Sequence, residues 1–153
     1  METITSKINK KKFFKWLLLI IWLLFIYYCS SKQGDQSLAM SNRMVDWLKN
    51  IFDHTFLYSY NLSFFVRKCA HLSIFFVLGI ICYTLLGEYK MMLWQRFLLS
   101  FFICVTYACM DELHQVFVAD RDGKALDVLL DSCGALLSLI PYFFLSCWFK
   151  KKG

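Results

Sequence analysis

HLSIFFVLGIICYTLL, residues 71–86, is the apolar centre of a segment running from about 64 to 86. A bilayer core takes about 20 mostly apolar residues in helical form, so this run is long enough to cross one. Three further segments qualify: FFKWLLLIIWLLFIYYC at about 13–29, a run at about 91–115 and another at about 125–149. The chain of 153 residues is 59% hydrophobic with a single proline, whereas a soluble domain is closer to half apolar. Sixteen Phe, eight Tyr and five Trp suit lipid packing and interfacial anchoring. The expected fold is all-α: a polytopic membrane protein built as a four-transmembrane-helix bundle, one domain over 1–153.

The formal charge of +6 is placed as a topology signal, not as a nucleic-acid footprint. Lys7, Lys10, Lys11, Lys12 and Lys15 lead into the first apolar run, and Lys150, Lys151 and Lys152 follow the last. With the basic tails at 1–12 and 150–153 inside, ten Lys and Arg fall on the inner side and seven on the outer. Nine of the eleven acids fall outside, only Glu2 and Glu88 within. Both termini are therefore expected in the cytoplasm. The first run has the basic lead of a signal peptide, but Tyr27 and Tyr28 beside Cys29 fit no cleavage or lipid-attachment site. It reads as an uncleaved anchor. Seven cysteines without a C-x-x-C pair read mostly as small apolar packing residues.

The only long connection is the first outer loop, about 31–63. Met40, Met44, Trp47, Leu48, Ile51 and Phe52 recur there at helical spacing, with Arg43, Asp46, Lys49 and Asp53 on the other face. This predicts an amphipathic helix, lying either in the headgroup layer or over the bundle mouth.

Polar residues collect at the outer ends of three spans. Arg67 and His71 open the second span on one helix face. Asp111, Glu112, His114 and Gln115 close the third. Arg121 follows in the turn, and Asp127 and Asp131 open the fourth. Such groups cost about 2.5–3.5 kcal/mol each at mid-span and less near the interface, so convergence on one another is expected, within about two turns of the surface. Glu112 is expected at the solvated rim and Lys68 against lipid phosphate, while Asp127 could serve only to complement a helix N-terminus. A salt-bridge network that merely fixes packing is the plain alternative. Two imidazoles and three carboxylates could bind a divalent cation, but D-E-x-H permits chelation without demanding it. No metal and no cofactor is expected from the spacing. His71, Asp111 and His114 are the candidates for acid–base chemistry, and Arg67 and Arg121 for binding an anion.

VRKCAHL at 66–72, DELHQVFV at 111–118, Arg121 and DVLLDSCGA at 127–135 together resemble the VanZ-like family of small bacterial membrane proteins, over about residues 30–140. The resemblance implies a four-helix membrane protein of Gram-positive type, from a family whose founding member is associated with low-level resistance to the glycopeptide teicoplanin. The family's polar residues fall on Arg67, Lys68, His71, Asp111, Glu112, His114, Gln115, Arg121, Asp127 and Asp131. Where many members read H-F-x-E-Y, this chain has Ile74 and Phe75 in place of the glutamate and tyrosine. The usual Pro-Gly before Arg121 is Ala119-Asp120.

Three readings follow. The first is a multi-pass protein of the bacterial cell membrane whose outward polar pocket binds an anionic envelope component or lipid headgroup. Membrane lipids, a lipid-linked cell-wall precursor or an anionic envelope polymer would be its partners, and nucleic acid would not. The second is a membrane-embedded hydrolase or transferase, with or without a metal, acting on a lipid-linked substrate. The third is a structural membrane protein with no chemistry. An ion path is disfavoured, because the inner halves of the spans offer little beyond Thr84 and Ser138.

Overall fold

The computed structural model describes residues 4–32, 34–51, 62–119, 121 and 123–152. It contains five helices and, among these residues, no strand: α1 Ile4–Ser30, α2 Gly34–Ile51, α3 Leu62–Leu86, α4 Leu93–Val116 and α5 Ala125–Lys152. Four of them, all but α2, are long and apolar enough to cross a membrane. A backbone in hydrocarbon must satisfy its own hydrogen bonds, and a helix does so within one segment. The chain is thus a multi-pass membrane helix bundle, as the apolar runs predict. α1 begins nine residues before the expected span, its lysine-rich lead continuing the helix of the apolar run. α5 carries Pro141 inside it, where the missing N–H is tolerated more readily than in a soluble helix.

α3 is the central helix and touches all four others. It buries eight residues, among them Phe75, Leu78 and Tyr83 with no exposed surface. Outward-facing side chains elsewhere are also apolar: Phe102 is 68% exposed, Leu129 61% and Phe144 66%. A bundle that is greasy on both faces is what lipid contact requires.

Helix association in lipid lacks a hydrophobic drive, so small residues that let backbones approach do the work. α3 and α5 form the most extensive pair. Gly134 and Ser138 stand at i and i+4 on α5; Leu72 of α3 lies against the first and Gly79 against the second. A Cβ on Gly134 would fall 2.3 Å from the Leu72 carbonyl oxygen, and one on Gly79 would fall 2.3 Å from Ser138 Oγ. α1 is held by hydrogen bonds: Trp22 Nε1 donates to the Ile74 carbonyl at 3.2 Å, and Tyr107 Oη donates to the Leu23 carbonyl at 2.7 Å.

At the end of the bundle that bears both termini, charges cap α3. Lys15 Nζ donates to the Thr84 carbonyl at 3.0 Å and pairs with Glu88. Arg96 Nε donates to the Tyr83 carbonyl, with its guanidinium 3.8 Å from the Tyr83 ring centroid. Cations on the last carbonyls of a helix satisfy orphan acceptors and the dipole together. The hydrogen bond from Lys15 holds the Glu88 carboxyl below its usual range.

α2 is amphipathic and packs on α3, but through a different face from the expected apolar stripe. Ser41 and Val45 are buried, while Met40, Met44 and Trp47 are 54–61% exposed. The stripe flanks the contact, and its outer side is left for lipid. The side chains of Leu48, Lys49 and Ile51 lie outside the described residues, as do Glu2, Phe52, Asp53, Asp120 and Asp122. The cysteines also depart from expectation. All seven are free, yet only Cys82 and Cys104 are buried, and Cys69, Cys109 and Cys133 are exposed. Their apolar surroundings at those three positions come from lipid instead of the core.

Gly134→Ala sets a methyl group against backbone and is expected to cost about 1–3 kcal/mol, the usual range for overpacking. Gly79→Ala meets the Ser138 side chain, which can rotate, and the Ala135 carbonyl less closely at 3.2 Å, and is expected to cost less. Thermal unfolding of the purified variants in detergent reads both.

Candidate functional site

The end of the bundle opposite the termini gathers the polar residues. His71 lies nine residues into α3, Asp111 five residues before the end of α4, and Asp131 six residues into α5. One ligand-type atom from each lies within 4.8 Å of the others. His71 Nδ1 is 3.8 Å from Asp131 Oδ1, beyond hydrogen-bond distance. The helix crossing sets this approach: Gly134 meets Leu72, the neighbour of His71, and Asp131 stands one turn before Gly134 on the same face of α5.

Asp131 is 1% exposed, and neither of its carboxylate oxygens has a hydrogen-bond partner. Asp111 is also buried, with Oδ2 accepting from Gln115 Nε2 at 2.9 Å. An unpartnered carboxylate buried among apolar helices is expensive. It marks Asp131 as the residue of this end whose burial packing alone does not account for.

Above this trio lies a cavity of about 320 Å³, lined by the ends of α1, α2 and α3 and by the α4–α5 turn. Its polar lining comes from Lys32, Ser37, Ser41, Arg67, His71 and Arg121. Nε and Nη1 of Arg121 are buried without a partner, and Arg67 makes no ion pair among the described residues. Burial first, and then the neighbouring Arg67, push the Arg121 guanidinium below its usual range, while Asp111 and Glu112 oppose the shift. Guanidinium keeps its proton regardless, so two cations stand side by side at this end of the bundle. A second, apolar groove of about 590 Å³ runs beside it between α1 and α3. Phe25, Met44, Val66, Ala70 and Ile74 line both, so the groove adjoins the polar cavity. Ile74, where the chain lacks the familiar glutamate, makes this wall apolar.

The other expected residues sit around the trio without lining the cavity. Glu112 is not at the solvated rim: it is 6% exposed and accepts a hydrogen bond from the Lys124 backbone N–H. It therefore pins the turn that carries Arg121. Lys68, expected against lipid phosphate, pairs with Asp127, so Asp127 does more than complement the start of α5. His114 turns towards α1, with Nε2 3.1 Å from Ser31 Oγ and its ring 4.8 Å from that of Tyr27. The sequence reading missed Lys32, Ser37 and Ser41 as cavity residues. Their only signal was position, just after the first span and on the loop helix that follows.

The chain's affinities can be set beside this geometry. No curated protein and no solved structure matches the chain. The family model described as VanZ/LLP1 matches residues 14–146, taking in α3, α4, the cluster and the cavity, and the chain belongs to that family.

Proposed function

We propose that this VanZ-family protein holds a phosphate-bearing lipid of the bacterial cell membrane, headgroup in the polar cavity and acyl chain along the apolar groove. The observation that carries this reading is Arg121, whose two buried, unpartnered N–H groups stand beside Arg67 at a cavity that adjoins a lipid-sized groove. Guanidinium forks match phosphate oxygens in pairs. The long stems and fixed helices supply the geometry before the ligand arrives, which lowers the cost of binding. Charge bias in the tails supports an orientation with both termini in the cytoplasm and the cavity facing outward. The ligand would then be an outer-leaflet lipid or a lipid-linked cell-wall precursor in a Gram-positive envelope. Occupying such a lipid would change how a glycopeptide such as teicoplanin reaches its targets, which would connect the site to resistance.

Purified full-length protein in detergent is expected to bind phosphatidylglycerol over phosphatidylcholine, read by native mass spectrometry. Arg67→Gln and Arg121→Gln are each expected to weaken that preference by roughly 10- to 100-fold, the equivalent of one charge-assisted contact of about 1.5–3 kcal/mol. Unchanged selectivity in folded variants would overturn the reading. Suppression by soluble glycerol phosphate alone, with no lipid dependence, would point to an anionic envelope polymer instead. The orientation has its own check. A Lys124→Cys variant is expected to react with an impermeant maleimide on intact cells, and Lys151→Cys only after permeabilisation.

A further inference from the structure

We infer that His71, Asp111 and Asp131 form a binding site for a divalent transition-metal cation at the floor of the polar cavity. The inference does not rest on the lipid reading; it rests on an unbalanced charge. Two carboxylates from different helices are buried within 4.8 Å of each other and of one imidazole. Arg67 and Arg121 pair with neither, Lys68 is engaged by Asp127, and the one ionic approach to Asp131 among the described residues is His71 itself, at 3.8 Å. Asp131 has no donor at either oxygen although it is almost fully enclosed. A cation of charge +2 between the two carboxylates would make the site neutral and give Asp131 its missing partner.

The geometry suits such an ion. Ligand atoms at about 2.0–2.2 Å from a metal lie roughly 3–4.5 Å from one another, so the trio needs to close only slightly. Gln115 donates to the second oxygen of Asp111 at 2.9 Å, the kind of outer contact that fixes a metal-binding carboxylate in place. One imidazole with two carboxylates favours Mn²⁺ or Zn²⁺. Mg²⁺ and Ca²⁺ prefer all-oxygen sets, and Cu⁺ prefers sulfur. Three protein ligands leave coordination positions open. Because His71 also lines the cavity, those positions face the space beside Arg67 and Arg121. An oxygen of a bound phosphate, or a water, would fill one.

The test uses Mn²⁺, because seven free thiols would scavenge Zn²⁺. Full-length protein in detergent, stripped with chelator and titrated with Mn²⁺, is expected to bind one equivalent by electron paramagnetic resonance and to melt at a higher temperature once loaded. Asp131→Asn, which keeps the shape and removes the charge, is expected to lose at least 10-fold in affinity, and His71→Ala likewise. Arg67→Gln is expected to leave Mn²⁺ binding intact, which separates this site from the anion site. Absence of saturable Mn²⁺ binding by the wild-type protein would overturn the inference. So would equal binding by a folded Asp131→Asn variant, or Mg²⁺ competing at equal concentration.

Discussion

The site depends on how closely α5 can approach α3. At Gly134 the α5 backbone lies against the Leu72 carbonyl with no space for a methyl group. That contact fixes the height and rotation of both helices at once. Asp131, one turn from the glycine, is thereby set beside His71, one residue from the leucine. α4 then adds Asp111 from the third side. In lipid there is no water-driven collapse to impose such closeness, so it must come from surfaces that fit. The polar cluster is a consequence of the small-residue seam beneath it.

The two ends of the bundle solve the same electrostatic problem in opposite ways. At the terminal end, Lys15 pairs with Glu88, and Lys15 and Arg96 each cap a carbonyl in the last turn of α3. Among the described residues, that end keeps no buried side-chain polar atom without a partner. At the other end, Lys68 pairs with Asp127 and Glu112 Oε1 accepts from the Lys124 backbone, yet Asp131, Arg121 and the second oxygen of Glu112 keep buried groups without partners. One more hydrogen-bonding side chain would satisfy such groups, so the contrast between the two ends is one of unmet hydrogen-bonding capacity.

The four spans and the loop helix were legible because each is a property of a contiguous run: hydropathy for the spans, helical period for α2. The meeting of His71, Asp111 and Asp131 was half legible. Their positions at matching ends of three helices implied one depth, but depth alone does not give rotation. Rotation decided that His114 faces Tyr27 and Ser31, and that Glu112 turns inward to hold the α4–α5 turn. It also decided that α2 docks through Ser41 and Val45 instead of its methionine and tryptophan flank. The seam itself had a visible sign, Gly134-x-x-x-Ser138, whose meaning depended on Gly79 lying opposite. Such pairings belong to two helices at once, and no single run of residues displays them.

The most direct measurement of the central contact is a solid-state NMR dipolar coupling between His71 ring nitrogens and aspartate carboxyl carbons, in protein embedded in lipid bilayers. Replacing His54 and His114 by glutamine isolates the ring of interest. The structure requires a resolved coupling, consistent with the 3.8 Å approach of Nδ1 to Asp131, that weakens in Asp131→Asn labelled only at aspartate, where Asp111 is the remaining carboxyl within reach. A His71 ring that couples to lipid acyl chains and to no carboxyl carbon would contradict it, and with it the site built on the α3–α5 seam.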